Sequence, residues 1–304
     1  MTSFLLAHVT SARLALFLVV LLAMVGWEAL AARRPLSVSR AIRWPNNLGI
    51  VMLNTAVLRL AFPTAAVGLA LAGERHGWGL LNNILMPGWL RVVVAVALLD
   101  LVIYLQHVMF HAVPLLWRLH RVHHADIDFD VTTGLRFHPG EIVLSMVVKL
   151  GAVAALGAPA AGVLLFEVLL NATAMFNHGN VSLPVRVDRL VRWLVVTPDM
   201  HRVHHSVIPS ETNTNFGFNL PWWDRLFGTY RDQPAAGHDG MTIGLDVFRD
   251  PAQLRIDRML MQPFVGFTGP YPLANRGTEE ITQPELTPLT SPTATGAPDA
   301  AARH

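Results

Sequence analysis

Apolar residues in this chain come in long unbroken runs rather than at the three-to-four spacing of a water-facing helix. Leu14 to Ala32 is almost wholly apolar and closes on Arg33 and Arg34. As a helix it is long enough to cross about 30 Å of hydrocarbon. The arginines follow the run instead of preceding it, which favours a retained anchor over a cleaved leader, although Ala29-Leu30-Ala31 resembles a cleavage site. Leu48 to Ala72 is a second span, expected to kink at Pro63, and Trp89 to Met109 is a third. Ile142 to Phe176 covers 35 residues with a break at Gly157-Ala158-Pro159, which predicts two helices in a hairpin. From Leu183 to Val196 charged and apolar residues alternate at helical spacing, as in an amphipathic helix lying at an interface. From Thr278 the chain turns to Thr, Pro, Ala and Gly, a composition that cannot bury enough apolar surface to order itself.

Orientation follows from the arginines. Arg33, Arg34, Arg40 and Arg43 lie after the first span and place that loop in the cytoplasm. The second span then leads out, the third leads back, and the hairpin begins and ends inside. The count brings every clustered histidine to one face of a membrane, the inner membrane if the host is a bacterium.

Composition agrees. Of 304 residues 52% are hydrophobic and only 14% charged, against roughly 25% charged in a soluble domain; mean hydropathy is +0.41. A formal charge of +2 excludes a basic field for nucleic acid. Cysteine is absent, which removes thiolate zinc sites, iron–sulfur clusters and covalently attached haem. A metal here must be held by nitrogen and oxygen.

Histidine supplies the nitrogen. Ten of the 14 histidines fall between positions 107 and 205, as His107-x-x-x-His111, His120-x-x-His123-His124, single His138 and His178, and His201-x-x-His204-His205. Residues at i, i+3 and i+4 share a helix face, so each group presents its imidazoles together. Pro114 and Pro198 suit first helical turns, and Thr197 suits an N-cap. Imidazole binds iron, copper, nickel and zinc, and so many rings exceed the needs of one ion. There is no H-E-x-x-H of a hydrolytic zinc site. A pair of irons that activates dioxygen accounts for number, spacing and membrane setting together. A non-enzymatic haem or metal-ion transporter and a zinc-dependent membrane hydrolase are the alternatives.

The stretch from Asp100 to Arg231 resembles the fatty acid hydroxylase/sterol desaturase superfamily. The resemblance rests on DLVIYLQHVMFH, LWRLHRVHH, LRFHPGE, the NHGN around His178, TPDMHRVHH, and ETNTNFG followed by WWDRLFGTYR. It implies an all-α integral membrane fold of about four to five inserted helices, with a cytosolic helical cap over a non-haem di-iron site. It also implies that dioxygen and externally supplied electrons drive hydroxylation or desaturation of a lipid-like substrate. The eight histidines of the three boxes carry over as ligands: His107, His111, His120, His123, His124, His201, His204 and His205. His178 matches a further ligand position, and His138 sits in a family motif as ligand or support. Zinc is an expected substitute for the two irons after ordinary purification.

Acidic groups near these boxes are candidates to orient the imidazoles. Asp100, Asp199 and Asp224 are favoured, whereas Asp126, Asp128 and Asp130 read more simply as a solvated loop. Asn213 and Asn215 buttress the site or form turns, and Trp222-Trp223 anchors the cap at the membrane surface. Lys149 and Glu167 lie at similar depths on either side of the hairpin turn, where isolated charges are costly, so they are expected to pair. The divisions predicted are membrane helices over 1–98, a catalytic region over 99–235, a cap segment over 236–277 and a disordered tail over 278–304. No G-x-G-x-x-G segment offers a nicotinamide or flavin site, so the electron donor is a separate protein.

Overall fold

The computed structural model describes residues 2–266 and 268–275, with side chains from residue 11 onward. The tail predicted over 278–304 lies outside the described residues. Every named element among them is helical, and the one β-type contact is an isolated bridge between Ser206 and Ile243.

Five stretches are long and apolar enough to cross a membrane. The first ends helix α1 (Thr2–Ala31). The second comprises α2 (Arg40–Ala61) and α3 (Ala65–His76). The others are α4 (Gly88–Ala112), α6 (Pro139–Leu156) and α7 (Ala160–Asn177). Between them lies α5 (Pro114–His124). After them come only short helices: α8 (Val185–Val191), α9 (Pro198–His204), α10 (Pro209–Thr212), α11 (Trp222–Leu226), α12 (Gly237–Gly240) and α13 (Ile256–Met261).

The second span begins eight residues earlier than the apolar pattern predicts. Ser39 caps it by accepting the Ala41 N–H at 3.2 Å, and its buried face is polar, with Arg43, Asn47 and Asn54 alongside Ile50. An apolar count cannot see such a face. The expected kink is a full break over residues 62–64 at Pro63, where the ring removes a backbone donor. The hairpin turn is as predicted. Gly157 takes φ 61° at the end of α6, and the Ala158 N–H reaches the Val153 carbonyl at 3.2 Å. A Cβ on Gly79 would lie 2.1 Å from the Gly157 nitrogen, so this contact tolerates no larger residue.

The helices of the membrane region pack through Leu99 and Ile103 of α4, Val153 of α6, Val163 and Phe166 of α7, and Ala66 and Ala70 of α3. Large side chains elsewhere on these helices stay exposed, among them Leu18, Leu22, Met52, Leu60, Val93 and Leu105. That is the surface lipid would cover. The amphipathic segment keeps its exposed apolar face at Val185, Val187, Leu190, Trp193 and Leu194, but only Val185–Val191 is helical.

The charge pairing expected within the hairpin is present. Lys149 Nζ lies 2.9 Å from one Glu167 oxygen, and Arg13 of α1 reaches the other at 2.8 Å, a partner the sequence reading missed. One carboxylate thus ties three helices together. Glu167→Ala leaves two cations without a counter-charge and should destabilise the protein by about 3 kcal/mol. Lys149→Met, which leaves Arg13 on the carboxylate, should cost clearly less. Thermal unfolding of the two variants in one detergent checks the order.

Candidate metal centre

Three helical pieces and one helix end bring the histidines together. His107 and His111 occupy the last turns of α4, and the chain reverses at Val113-Pro114 into α5, which carries His120, His123 and His124. Proline at the first position of α5 and again of α9 costs no helical hydrogen bond. Thr197 caps α9 by accepting the Met200 N–H, and α9 delivers His201 and His204, with His205 at its end. His178 is the residue that terminates α7.

Nine imidazoles form two groups. Ligand nitrogens of His107, His111, His120, His124 and His204 all lie within 4.8 Å of one another, as do those of His123, His178, His201 and His205. None of the nine is more than 3% exposed. Each H-x-x-H-H triplet splits between the groups: His120 and His124 face one and His123 the other, while His204 and His205 divide likewise.

Outer contacts fix which nitrogen faces inward in five of the rings. Nδ1 of His107 donates to the Phe216 carbonyl at 2.8 Å, that of His204 to Thr214 at 2.7 Å, and that of His178 to Ala174 at 2.7 Å. Nδ1 of His120 donates to Glu141 Oε1 at 2.7 Å, and that of His111 to Asn213 Oδ1 at 3.1 Å. The Asn213 amide nitrogen is engaged by the carbonyls of Pro209 and Tyr271, so its oxygen must be the atom facing His111. With Nδ1 protonated, Nε2 of these five rings carries a lone pair.

Those lone pairs then converge. Nε2 of His107 stands 3.1 Å from Nε2 of His120, too close for two acceptors with nothing shared between them. In the other group His178 Nε2 meets Nε2 of His123 at 3.1 Å and of His201 at 3.0 Å. Ring nitrogens of His111, His124, His204 and His205 are buried with no hydrogen-bond partner. Each such group costs about 1–3 kcal/mol unless something accepts its electrons. A cation at each focus would accept one nitrogen from each of these rings, and the donor set, wholly imidazole, suits a borderline transition metal.

Burial keeps the rings neutral. It pushes His123, His124, His201, His204 and His205 well below their ordinary 6.5, with repulsion from neighbouring imidazoles adding to the shift. Burial likewise brings His178 down to about 4. Neutral imidazole is the form that binds metal.

His138 lies outside both groups. Its Nδ1 accepts the Gly140 N–H at 3.0 Å to cap α6, and its Nε2 faces the Leu260 carbonyl at 3.3 Å. The carboxylates favoured from sequence bond elsewhere than to the nine clustered imidazoles. Asp100 accepts from Trp223 Nε1 at 2.9 Å and the Leu220 N–H at 3.2 Å. Asp224 accepts the N–H groups of Phe216 and Gly217 at 2.8 and 2.9 Å, and so holds the backbone whose carbonyl receives His107. Asp199 pairs with Arg202, whose guanidinium also holds the Val181 carbonyl just beyond His178. The three act on the chain around the site.

Asp126, Asp128 and Asp130 are not a solvated loop. All are buried. Asp126 and Asp130 receive Arg43 of α2, and Asp128 receives the N–H groups of Ser37 and Val38. Burial alone would raise the Asp126 carboxyl, but Arg43 overrides it and holds the group at about 2. Glu141 is the residue the sequence reading passed over. It sits in the first turn of α6, where an acid is usually read as serving the helix dipole, and only the fold shows it reaching His120.

Two outcomes follow. Glu141→Gln keeps the shape but loses the charge that raises the basicity of His120, and should weaken metal affinity about 10–100-fold in competition with a chelator. In metal-free protein the imidazoles are neutral when folded and titrate near 6.5 when unfolded, so the unfolded state takes up protons first. Stability should therefore be flat above pH 7 and fall from pH 6.5 towards about 4, as melting curves of chelator-treated protein would register.

Comparison with known proteins agrees with this geometry. A fatty acid hydroxylase family model matches residues 92–229. Ornithine lipid hydroxylase of Rhizobium tropici is 29% identical over 182 residues, 59% of this chain and 53% of its own length. Alkylglycerol monooxygenase of Xenopus tropicalis is 25% identical over 225 residues, 71% of this chain and 47% of its own. The human alkylglycerol monooxygenase is 25% identical over 150 residues, 48% and 32% of the two chains. The chain thus spans about half the length, or less, of the curated relatives it matches. No solved structure matches it. The matched region contains all nine clustered histidines and Glu141.

Proposed function

We propose that this chain is a membrane-bound, non-haem di-iron oxygenase that hydroxylates an aliphatic position of a lipid. The observation that carries the reading is the inward convergence of nine imidazoles in groups of five and four, five of them oriented by outer acceptors. Their nitrogens would hold two irons, which when bound supply the means to activate dioxygen against an unactivated C–H bond.

The chain's own contribution is positional. Glu141, Asn213 and the carbonyls of Thr214, Phe216 and Ala174 aim the rings, and rigid aim is what holds a multi-ligand site together. The side chains around the groups are aromatic. Phe216 packs on His107, His111 and His204, and Phe137 stacks on His123 at a centroid distance of 4.4 Å. A surround of this kind keeps bulk water from a reactive centre. Hydroxylation is preferred to desaturation because the relatives are named as a hydroxylase and a monooxygenase.

The remaining assignments belong to the same proposal. Residues 1–98 serve as membrane helices, 99–235 as the catalytic region and 236–277 as part of the cap, with the histidines on the cytoplasmic side of a bacterial inner membrane. The loop after α1 supports one shared face. The Arg33 N–H bonds the Asn180 carbonyl at 2.8 Å, beside His178, and the Arg34 side chain reaches the Met241 carbonyl at 2.7 Å. Electrons come from a separate donor protein.

The test is isotopic. Lipids extracted from cells expressing the protein under ¹⁸O₂ should contain a species heavier by one labelled oxygen atom, absent with His123→Ala. Protein purified without oxygen should carry two irons per chain. Lipid profiles identical between the two strains would refute the hydroxylase reading, and zinc in place of iron after anaerobic purification would move it towards hydrolysis.

A further inference from the structure

Resting on that reading, we infer that the Phe218 side chain closes the path by which an aliphatic chain reaches the metal groups from the bilayer, and so sets which carbon is presented. The path runs along one face of α4. Leu99, Ile103, His107 and His111 follow one another at intervals of four residues, so they stack on one side of the helix. The first two belong to the apolar core of the membrane helices, and the last two belong to the site. Phe218 lies at the junction. It packs against that apolar core, and its ring centroid is 5.0 Å from His107 and 6.2 Å from His201. Those two histidines come from different groups. A methylene replacing the Phe218 ring would face both foci at once.

The loop bearing Phe218 lies beside a spanning helix. Asp100, seven residues before His107 and so about 10 Å further along α4, holds the Leu220 N–H and Trp223. Phe227 stacks on Tyr104 at 5.5 Å. Trp222, Leu226 and Phe227 of the same segment are about half exposed or more, at 48%, 69% and 52%. Apolar side chains exposed beside a membrane helix face lipid, not water. The loop is pinned from both sides, by Asn177 to the Phe218 carbonyl at 3.0 Å and by Thr173 to Asn219, so its backbone is fixed while the Phe218 side chain is only half-buried. A side-chain rotation is a smaller change than a loop movement and admits a chain one methylene wide.

Phe137 is the competing candidate, since it too touches both groups, through His120 and His123. It is not among the residues packed on the membrane core, and its backbone carbonyl is held by Asn54 of α2 at 2.9 Å. A path there would approach from the α2 side.

The experiment uses the full-length protein in nanodiscs of phosphatidylcholine, a fraction of which carries a diazirine on one acyl chain. After illumination, labelled peptides are mapped by mass spectrometry. Labels are expected on α4 around Ile103 and on residues 216–220, rising several-fold in Phe218→Ala and falling in Phe218→Trp. Phe218→Leu, a milder truncation, carries the same comparison should the alanine variant be poorly folded. Labelling that ignores residue 218, or that responds to Phe137→Ala instead, overturns the inference. Iron measured on the same samples separates the two claims. Iron-loaded protein with unresponsive labelling removes the path alone, whereas iron-free wild type with responsive labelling removes the oxygenase reading and keeps the path.

Discussion

The structure depends on one constraint: nine imidazoles converge in two groups inside a region from which water is excluded. A domain is stable by only about 5–15 kcal/mol, and several buried, unanswered acceptors would consume much of that. Bound cations would answer such a cluster. The rest of the cap follows from this requirement. Five of the rings are held from outside by whatever acceptor the position offers, among them a carbonyl at the end of α7, an amide on α10's edge and a carboxylate in α6. After α7 the acceptors come from Asn213, Thr214 and Phe216, at and just beyond the end of α10.

Charge elsewhere is managed by the same economy. In the membrane region Glu167 receives both Lys149 and Arg13. At the other end Arg43 leaves the polar face of α2 to meet Asp126 and Asp130. That contact fixes the chain immediately after His124, so α2 reaches the metal centre through a salt bridge although none of its residues belongs to either group. Arg202 does the equivalent for the chain after His178. Helices that contribute no ligand thereby restrain the ligands' neighbours.

Much of this was legible in the sequence, for reasons that differ by residue. The spans were visible because lipid demands apolar length, and the H-x-x-H-H triplets because helical spacing puts three rings within reach of common points. Pro114, Pro198 and Thr197 announced helix starts through local backbone chemistry alone. The Lys149–Glu167 pair was legible because a hairpin is a local object whose depths can be counted. Arg13 was not, since its partner lies across the bundle. Glu141 and the Asp126–Asp130 loop were misread for a related reason. An acid in a first helical turn, or three acids in five residues, looks solvent-facing until the fold supplies His120 or Arg43. The start of α2 was missed because its buried face is polar.

The division of each triplet between the two groups bears on how the centre is built. His123 and His124 are adjacent, as are His204 and His205, and adjacent residues on a helix point about 100° apart. One turn of α5 and the end of α9 therefore cannot serve a single focus with all three rings; each must serve two. A helix pair of this kind fixes the separation of the foci by its own geometry, independently of the loops. His178, entering from the membrane hairpin, completes only the second group, whereas α4 supplies two rings only to the first. The two foci thus differ in their attachment, one to the third span and one to the hairpin.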